Sequence, residues 1–363
     1  MKILQILYPG LGGTSTVAFS IVDSQKYTFY KKKINNFFIF HGVENLTKNN
    51  SEKCKKEKIK HFFIPKNNFI FDTFIIYKKI KLINPDIILT HSNSLFALLF
   101  YRFFFKKKIN CIDHTPDFTR NIIDWIKFFL FSFLSDRLIF VSEKSRESFV
   151  YNFLNFFKIK FNVILNSVDT DKFIRTKKIL ENQNILIGMA ARFVDDKRQE
   201  LLLNTLLKNK IFFINNKIKI SFAGSGYNLT KNKNFVNKNH LKNMVDFNGN
   251  LSEKKLINWF NNIDIYFHLS NDETTSTSIL QAMSMSLPIF ASKVEGNKNL
   301  AKYISKKLIN LVNNNEQEII KKINFIVKNK KKIQKQSIII RKIIIDKLSL
   351  VNFFKKYYDV IKD

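Results

Sequence analysis

The sequence predicts an α/β protein with two doubly wound domains of parallel sheet. Short apolar strands alternate with helical patterns along nearly the whole chain, which is typical of parallel sheets covered by helices. The length of 363 residues is enough for two domains that each bury a full core. A polar stretch separates two such series. We therefore expect a first domain at 1–168, a linker at 169–184, a second domain at 185–345 and a final helix at 346–363.

The first series opens with a strand, a glycine-rich loop and a helix. The apolar residues 2–8 are followed by Pro-Gly-Leu-Gly-Gly at 9–13 and by a helical pattern at 14–21. Such a loop lets a ligand approach the backbone closely, although the same pattern serves many nucleotide and sugar folds. Further strands are predicted at 37–40, 61–64, 86–90, 109–112, 137–141 and 163–165, and helices at 69–83, 95–105, 122–134 and 142–153.

The second series carries polar or glycine-containing loops after its strands. Arg192 and Lys197 follow the strand at 185–190, and Gly224-Ser225-Gly226 ends the strand at 218–223. Open α/β sheets bind ligands at the carboxyl ends of their strands, so these loops are candidates for one binding site. The remaining strands are predicted at 246–248, 263–269 and 288–291, and helices at 200–207, 253–261, 279–285 and 349–361.

The most informative stretch is residues 269–292, LSNDETTSTSILQAMSMSLPIFAS. A polar loop with Glu273 at its centre joins a buried strand to a helix that Pro288 brings to an end. Hydroxyl residues at the helix entrance leave several backbone N–H groups for a ligand, and the helix dipole favours a phosphate there. The stretch predicts an anion-binding site at the carboxyl end of a strand.

This stretch resembles the donor-binding motif of the family 4 glycosyltransferases, which are retaining enzymes of the GT-B fold. That motif has an acid, seven intervening residues, a second acid, Ala-Met, a small residue, Gly-x-Pro and an apolar strand. Glu273 stands at the first acid, and Gln281 stands where the second acid is usual. The remaining motif positions are occupied by Ala282, Met283 and Pro288, which match, and by Ser286, which replaces the glycine.

The resemblance implies two Rossmann-like domains that face a central cleft, of which the second binds a nucleoside-diphosphate sugar and the first binds the acceptor. Glu273 would accept sugar hydroxyls and act in catalysis, and Gln281 would bind the ribose. Arg192 and Lys197 would neutralise the departing diphosphate, and His114 would be catalytic beside the transferred sugar. Further donor-binding roles fall on Gly12, Gly13, Gly224, Leu251, Thr275, Ser276 and Ser278.

Plainer interpretations of these residues stay open on the sequence alone. Glu273 could be a helix-capping acid or an acid of a surface loop, Gln281 only a polar helix residue, and His114 a structural histidine. His91 follows the strand at 86–90 in the same way as His114 follows its strand, which makes it a weaker candidate.

Composition bounds the partners. The net charge is +32, but the basic residues are spread along the chain, and Asn, Ile and Phe are enriched with Lys, so we expect no nucleic-acid partner. Cys54 and Cys111 show no metal or redox spacing, which indicates a reducing compartment. The resemblance implies a metal-independent enzyme, so we expect no metal and no cofactor. No signal peptide or membrane span is recognised, which favours a cytoplasmic protein.

The expected partners are a nucleotide-sugar donor and an acceptor glycan or lipid-linked saccharide. The helices at 95–105 and 122–134 are apolar and aromatic, and Lys106, Lys107 and Lys108 follow the first of them. Core helices and helices resting on the inner membrane face both fit this pattern. A Rossmann-type nucleotide oxidoreductase and a non-catalytic basic protein that binds membrane or nucleic acid are the other function classes left open.

Overall fold

The computed structural model describes residues 1–10, 13–27, 34–43, 48–91, 98, 102–103, 107–114, 122–146, 160–180 and 184–362. Within them the chain forms two compact units. The first unit contains Met1–Ser167 and Leu350–Asp363, and the second contains Val168–Ser349. Gly12, Lys106, most of the helix predicted at 95–105 and the later part of that at 142–153 lie outside the described residues.

The first unit is built on a seven-stranded parallel sheet in the order β3-β2-β1-β4-β5-β6-β7. Its strands are β1 (Lys2–Leu7), β2 (Asn35–Gly42), β3 (Lys60–Pro65), β4 (Ile87–Thr90), β5 (Lys108–Asp113), β6 (Arg137–Phe140) and β7 (Phe161–Val163). Its helices before residue 168 are α1 (Gly13–Ser24), α2 (Lys48–Lys56), α3 (Phe69–Ile83), α4 (Ile122–Leu134) and α5 (Glu143–Arg146).

Side chains of successive strand residues point to opposite faces, so β1 contributes to two separate cores. Leu4 and Ile6 pack with side chains of α3 and α4 on one face. Ile3 packs on the other face, with side chains of α1 and of the final helix of the chain. Helices therefore cover both faces of the sheet, as the alternation of elements predicts.

The second unit is built on a six-stranded parallel sheet in the order β10-β9-β8-β11-β12-β13. Its strands are β8 (Ile185–Ala190), β9 (Ile218–Ala223), β10 (Val245–Phe247), β11 (Ile265–His268), β12 (Ile289–Ser292) and β13 (Ile309–Val312). Its helices are α6 (Gln199–Lys208), α7 (Lys210–Asn215), α8 (Leu229–Lys238), α9 (Glu253–Asn262), α10 (Thr277–Ser284), α11 (Glu295–Ile304), α12 (Glu316–Lys328) and α13 (Lys330–Leu348). The last helix, α14 (Leu350–Lys362), packs on α1 in the first unit.

The stretch predicted as a linker, 169–184, lies within the second unit as far as it is described. Phe173, Ile179 and Leu180 are buried there. The Asp169 carboxylate accepts hydrogen bonds from the backbone N–H groups of Asp171 and Lys172, each at 3.1 Å. The three buried apolar side chains fix the stretch to the second unit despite its polar composition.

The order of strands in the second unit reverses between β8 and β11, which pair directly. β9 and β10 lie on one side of this point and β12 and β13 on the other. The loops that leave β8 and β11 therefore start side by side, at the position where doubly wound sheets bind ligands. Among the described helices, none is long and apolar enough to cross a membrane.

Candidate active site

The loops after β8 and β11 are joined by backbone hydrogen bonds. Arg198 N–H donates to Leu269 O at 3.1 Å, and Asn271 N–H donates to Asp196 O at 2.8 Å. Lys197 and Ser270 form an isolated antiparallel bridge between the same loops. This pairing places the Lys197 side chain beside the polar loop that contains Glu273.

Glu273 lies in an ion pair with Lys197. Its Oε2 accepts from Lys197 Nζ at 2.5 Å and from His268 Nε2 at 2.8 Å. The side chains of Glu273 and Lys197 are each 15% exposed. Burial alone would raise the pKa of the Glu273 carboxyl, but the Lys197 charge and the His268 hydrogen bond hold that pKa well below its usual range. Glu273 is therefore a charged carboxylate at neutral pH.

His268, at the end of β11, is a part of this site that the sequence analysis did not single out. Its side chain is 2% exposed, and burial lowers its pKa, so the ring is neutral at pH 7. Because the Glu273 carboxylate only accepts, the single ring proton sits on Nε2. His268 Nδ1 lies 3.3 Å from the Tyr266 hydroxyl, which is 3.1 Å from Ala190 O.

The helix predicted after the Glu273 loop is α10, whose N-terminal residue is Thr277. Ser276 is its N-cap, and its Oγ accepts from Ile279 N–H at 3.4 Å and lies 3.0 Å from Ser278 Oγ. Thr275 and Ser276 are buried, whereas the Gln281 side chain, one turn into the helix, is partly exposed. The N–H end of the helix thus lies directly after the Glu273 loop, where an anion would be favoured.

Gly296, in the first turn of α11, supports the backbone of this loop. A Cβ built on Gly296 would lie 1.9 Å from Glu273 O and 2.2 Å from Thr274 O. No side chain fits at that distance. The position of Glu273 therefore depends on a glycine that the sequence analysis did not identify, more than twenty residues downstream.

Two further glycines shape the loop that carries Arg192. A Cβ on Gly224, whose φ is +129°, would lie 2.1 Å from Ala191 O, and one on Gly226 would lie 2.3 Å from Phe193 O. Gly224 therefore acts through its close approach to the β8 loop. The Arg192 side chain on this loop is exposed, and Leu251 after β10 is partly exposed.

The other predicted residues that the structure describes, Gly13 and His114, lie in the first unit. Gly13 is the first residue of α1, and a Cβ there would meet nothing within 4 Å. His114 follows β5, is partly exposed, and its Nε2 lies 2.7 Å from His91 Nδ1. The weaker candidate His91 is thus in direct contact with the stronger one.

Comparison with known proteins identifies the second unit. A sequence model of the family described as Glycosyl transferases group 1 matches residues 170–342. The protein CapJ of Staphylococcus aureus is 28% identical over 144 residues, which are 39% of this chain and 35% of CapJ. The match therefore spans about a third of that relative's length.

Solved structures share the fold of the whole chain. Anabaena Alr3699/HepE in complex with UDP and glucose has a TM-score of 0.82 at 15% identity, with 100% of both chains covered. A glycosyltransferase from Rickettsia africae has a TM-score of 0.73 at 20% identity over 99% of this chain and 97% of that one. A point mutant of S. aureus TarM, solved with Fondaparinux, alpha-GlcNAc-glycerol and UDP, has a TM-score of 0.76 at 13% identity, with 100% of both chains covered. Residues 170–342, which make up most of the second unit, therefore match the glycosyl transferases group 1 family, and the two Rossmann-like domains of the chain have the GT-B fold.

Proposed function

We propose that this protein transfers a sugar from a nucleoside-diphosphate sugar to a hydroxyl group of an acceptor, with retention of configuration at the anomeric carbon. The observation that carries the proposal is the cluster of Lys197, Glu273 and His268 at the switch point of a domain that matches the family. A buried but charged carboxylate, next to a lysine and a helix N-terminus, suits a ligand with both hydroxyls and phosphates.

In this proposal Glu273 accepts hydrogen bonds from hydroxyls of the donor sugar, and Lys197 and Arg192 face the diphosphate. Departure of a nucleoside diphosphate builds negative charge, which cations and N–H groups already in place stabilise without reorganisation. The N–H groups at the start of α10, near Thr275, Ser276 and Ser278, would add to this stabilisation, and Gln281 would bind the ribose. We infer that transfer proceeds without a metal or cofactor, because these groups supply the charge.

The donor class can be tested by ligand-induced stabilisation. UDP was bound in the HepE and TarM structures, so UDP-sugars are the first candidates, followed by GDP-sugars. A ligand at 100 times its Kd raises the free energy of unfolding by about 2.7 kcal/mol, which shifts the melting temperature measurably. We expect stabilisation by a nucleoside-diphosphate sugar and none by NAD or oligonucleotides. Stabilisation by NAD alone would favour the oxidoreductase alternative.

Retention is tested on the product. Once a donor is found, the proposal predicts that the new glycosidic bond has the anomeric configuration of the donor sugar. The coupling constant of the anomeric proton of the transferred sugar, measured by NMR on the purified glycoside, distinguishes the two outcomes. Inversion would contradict the retaining assignment and leave the transferase assignment intact.

We further propose that the acceptor is a saccharide used in cell-surface polysaccharide or glycolipid synthesis. If the protein contacts a membrane, the acceptor saccharide is linked to a lipid. The face of the first unit covered by α3 and α4 supports the membrane contact. The outer side of α4 exposes five large apolar side chains: Ile122 at 77%, Ile123 at 58%, Ile126 at 56%, Leu130 at 41% and Phe133 at 48%. Their spacing puts all five on one side of the helix, while Phe128 points into the core.

Helix α3, which packs into the same core as α4, also exposes apolar side chains and carries positive charge. Ile70, Phe71, Phe74 and Leu82 are each at least half exposed. Lys78 and Lys81 are exposed on the same helix, while Asp72, its one acid, is buried. Apolar side chains beside lysines fit the interface of an anionic bilayer, where each lysine contributes about 1 kcal/mol.

Sedimentation with liposomes tests this contact. We expect the protein to bind vesicles that contain phosphatidylglycerol at low salt, and to be released by added salt. The variant Ile122→Glu/Ile126→Glu should abolish binding, whereas Ile211→Glu, at a site 75% exposed in the second unit, should not. Wild-type protein that stays in the supernatant at low salt would overturn the membrane contact and leave a soluble saccharide as the acceptor.

A further inference from the structure

A chain of hydrogen-bonded side chains in the first unit ends at His114. Gln5 lies in β1, His91 follows β4 and His114 follows β5, and these three strands are neighbours in the sheet. Gln5 Nε2 donates to Ala18 O at 3.0 Å, and Gln5 Oε1 lies 3.0 Å from His91 Nε2. His91 Nδ1 lies 2.7 Å from His114 Nε2, and the two ring planes are within 16° of each other, with centroids 5.0 Å apart.

The order of donors and acceptors in this chain fixes each proton. The Ala18 carbonyl only accepts, so the amide nitrogen of Gln5 faces it and the amide oxygen faces His91. That oxygen also only accepts, so the proton of His91 sits on Nε2 and its Nδ1 keeps the lone pair. His91 Nδ1 can then only accept from His114, which places the proton of His114 on Nε2.

Both rings are neutral under ordinary conditions. Gln5 is fully buried, His91 is 2% exposed and His114 is partly exposed. Burial, together with the neighbouring His114, lowers the pKa of His91 well below 6.5, and burial lowers the pKa of His114 to about 4. A neutral His114 with its proton on Nε2 has a lone pair on Nδ1.

We propose that Gln5 and His91 are positioning residues that hold His114 in this tautomer, so that His114 Nδ1 accepts a hydrogen bond from a hydroxyl of the substrate. The identity of that hydroxyl rests on the proposed function, whereas the tautomer does not. The opposite tautomer would present an N–H to the same hydroxyl, and an imidazolium would donate from both nitrogens.

The tautomer can be observed directly by NMR. In protein labelled with ¹⁵N at histidine, long-range ¹⁵N–¹H correlations distinguish protonated from unprotonated ring nitrogens, and His114→Gln assigns the His114 signals by their loss. At pH 7.5 we expect a protonated Nε2 and an unprotonated Nδ1 for both His91 and His114. A protonated Nδ1 on His114 in the wild-type protein would overturn the proposal, whatever the variants do.

Variants of Gln5 test which residue sets the tautomer. Gln5→Met keeps a similar side-chain volume but removes both hydrogen bonds of the amide. Loss of one hydrogen bond changes a tautomer ratio about fivefold. Both His91 and His114 should therefore become mixtures of their two tautomers. Gln5→Glu keeps an acceptor for His91 Nε2–H and should restore a single tautomer. The control Gln25→Met removes an amide that pairs with Asn36 in the same unit and should leave both tautomers unchanged. An unchanged spectrum in a folded Gln5→Met protein would contradict the positioning role.

Activity gives a separate readout. With a donor in hand, Gln5→Met should lower kcat about fivefold and leave the donor KM unchanged, and Gln5→Glu should recover most of the loss. The expected spectra without turnover on any nucleotide sugar would contradict the proposed function alone. Turnover with Nδ1 of His114 protonated would contradict the tautomer assignment alone.

Discussion

Lys197 and Arg192 have different structural situations, although the sequence suggests one shared role for them. Lys197 lies 2.5 Å from Glu273 and is 15% exposed, whereas the Arg192 side chain is exposed. Removing one partner of a buried ion pair leaves the other charge uncompensated, which typically costs roughly 3–5 kcal/mol for full burial. A cation on the surface that meets only a ligand carries no such cost.

We therefore predict that Lys197→Ala lowers both the melting temperature and the transfer rate, while Arg192→Ala lowers only the transfer rate. The stability effect of Lys197→Ala should shrink in a Glu273→Gln background, because the neutral amide needs no counter-charge. Melting curves and steady-state kinetics of the four variants check this. Equal melting temperatures for the Lys197→Ala and wild-type proteins would mean that the ion pair does not stabilise the fold.

The buried histidines predict a pH dependence of stability. The folded-state pKa of His114 is about 4 against an ordinary value of 6.5, so the unfolded chain binds more protons between these values. Stability from this group is full above pH 6.5 and is lost as the pH falls, by on the order of 2 kcal/mol at pH 5. His91 and His268 shift in the same direction.

We expect the melting temperature to fall between pH 7.5 and pH 5, and to fall less in the double variant His91→Phe/His114→Leu. Circular dichroism melts in matched ionic strength measure this. A melting temperature that is constant over this range would contradict the neutral state assigned to these rings.

At the scale of single elements, the sequence predicted well those helices that have local end signals. The predicted bounds of α3 agree with the structure, since the Asn68 side chain caps its start and Asn84 ends it in the left-handed conformation. Strands β8 and β9 were also predicted with their observed bounds, because their apolar runs stop at polar or glycine residues. Strand β7, predicted at 163–165, instead spans Phe161–Val163.

Helix α2 is not among the helices predicted from the sequence, since its residues, KNNSEKCKK, have no apolar stripe. Its buried side chains are Asn50 and Cys54, one turn apart. Asn50 Nδ2 donates to Pro9 O at 2.7 Å, so this helix is held to the glycine-rich loop by a polar contact. Hydrophobic periodicity cannot detect such a helix.

The sequence points to only part of the candidate site, because local patterns do not show contacts between residues that are distant in the chain. Glu273, Lys197 and Ser276 stand at motif positions in loops, so their spacing in the sequence is informative. His268 lies in a buried strand and Gly296 in a later helix, where nothing local marks them as partners of Glu273. Their signals were a single polar residue in an apolar strand and a retained glycine in a chain with only 9 of them.

The contact of α11 with the polar loop leads to a prediction at this scale. Gly296→Ala puts a methyl group where the carbonyl oxygens of Glu273 and Thr274 lie, so the loop must move. A misplaced catalytic group can lower a rate about a hundredfold while the core stays intact. We expect transfer to fall at least tenfold in Gly296→Ala and to stay within about twofold in Lys298→Ala, at an exposed position of the same helix. Equal losses are not expected, because the Lys298 side chain is exposed to solvent. Equal losses in both variants would argue against a specific role for Gly296.

At the scale of the whole molecule, the fold and the family assignment of the second unit rest on independent observations. The two parallel sheets are expected from alternating strands and helices, and the family match covers residues 170–342. The net charge of +32 has no bearing on the fold. Under the proposed function, transfer depends on a few side chains at the β8–β11 switch point, among them Lys197, Glu273 and His268.

The central claim is that the Glu273 carboxylate takes part in transfer from a nucleoside-diphosphate sugar. The most direct measurement is the acceptor-dependent release of UDP or GDP from a panel of nucleotide sugars by three proteins: wild type, Glu273→Ala and the control Glu318→Ala, whose acid lies in α12. Loss of charged hydrogen bonds, worth roughly 1.5–3 kcal/mol, predicts a rate at least about tenfold lower for Glu273→Ala alone. A correctly folded Glu273→Ala protein that turns over at the wild-type rate would contradict the account.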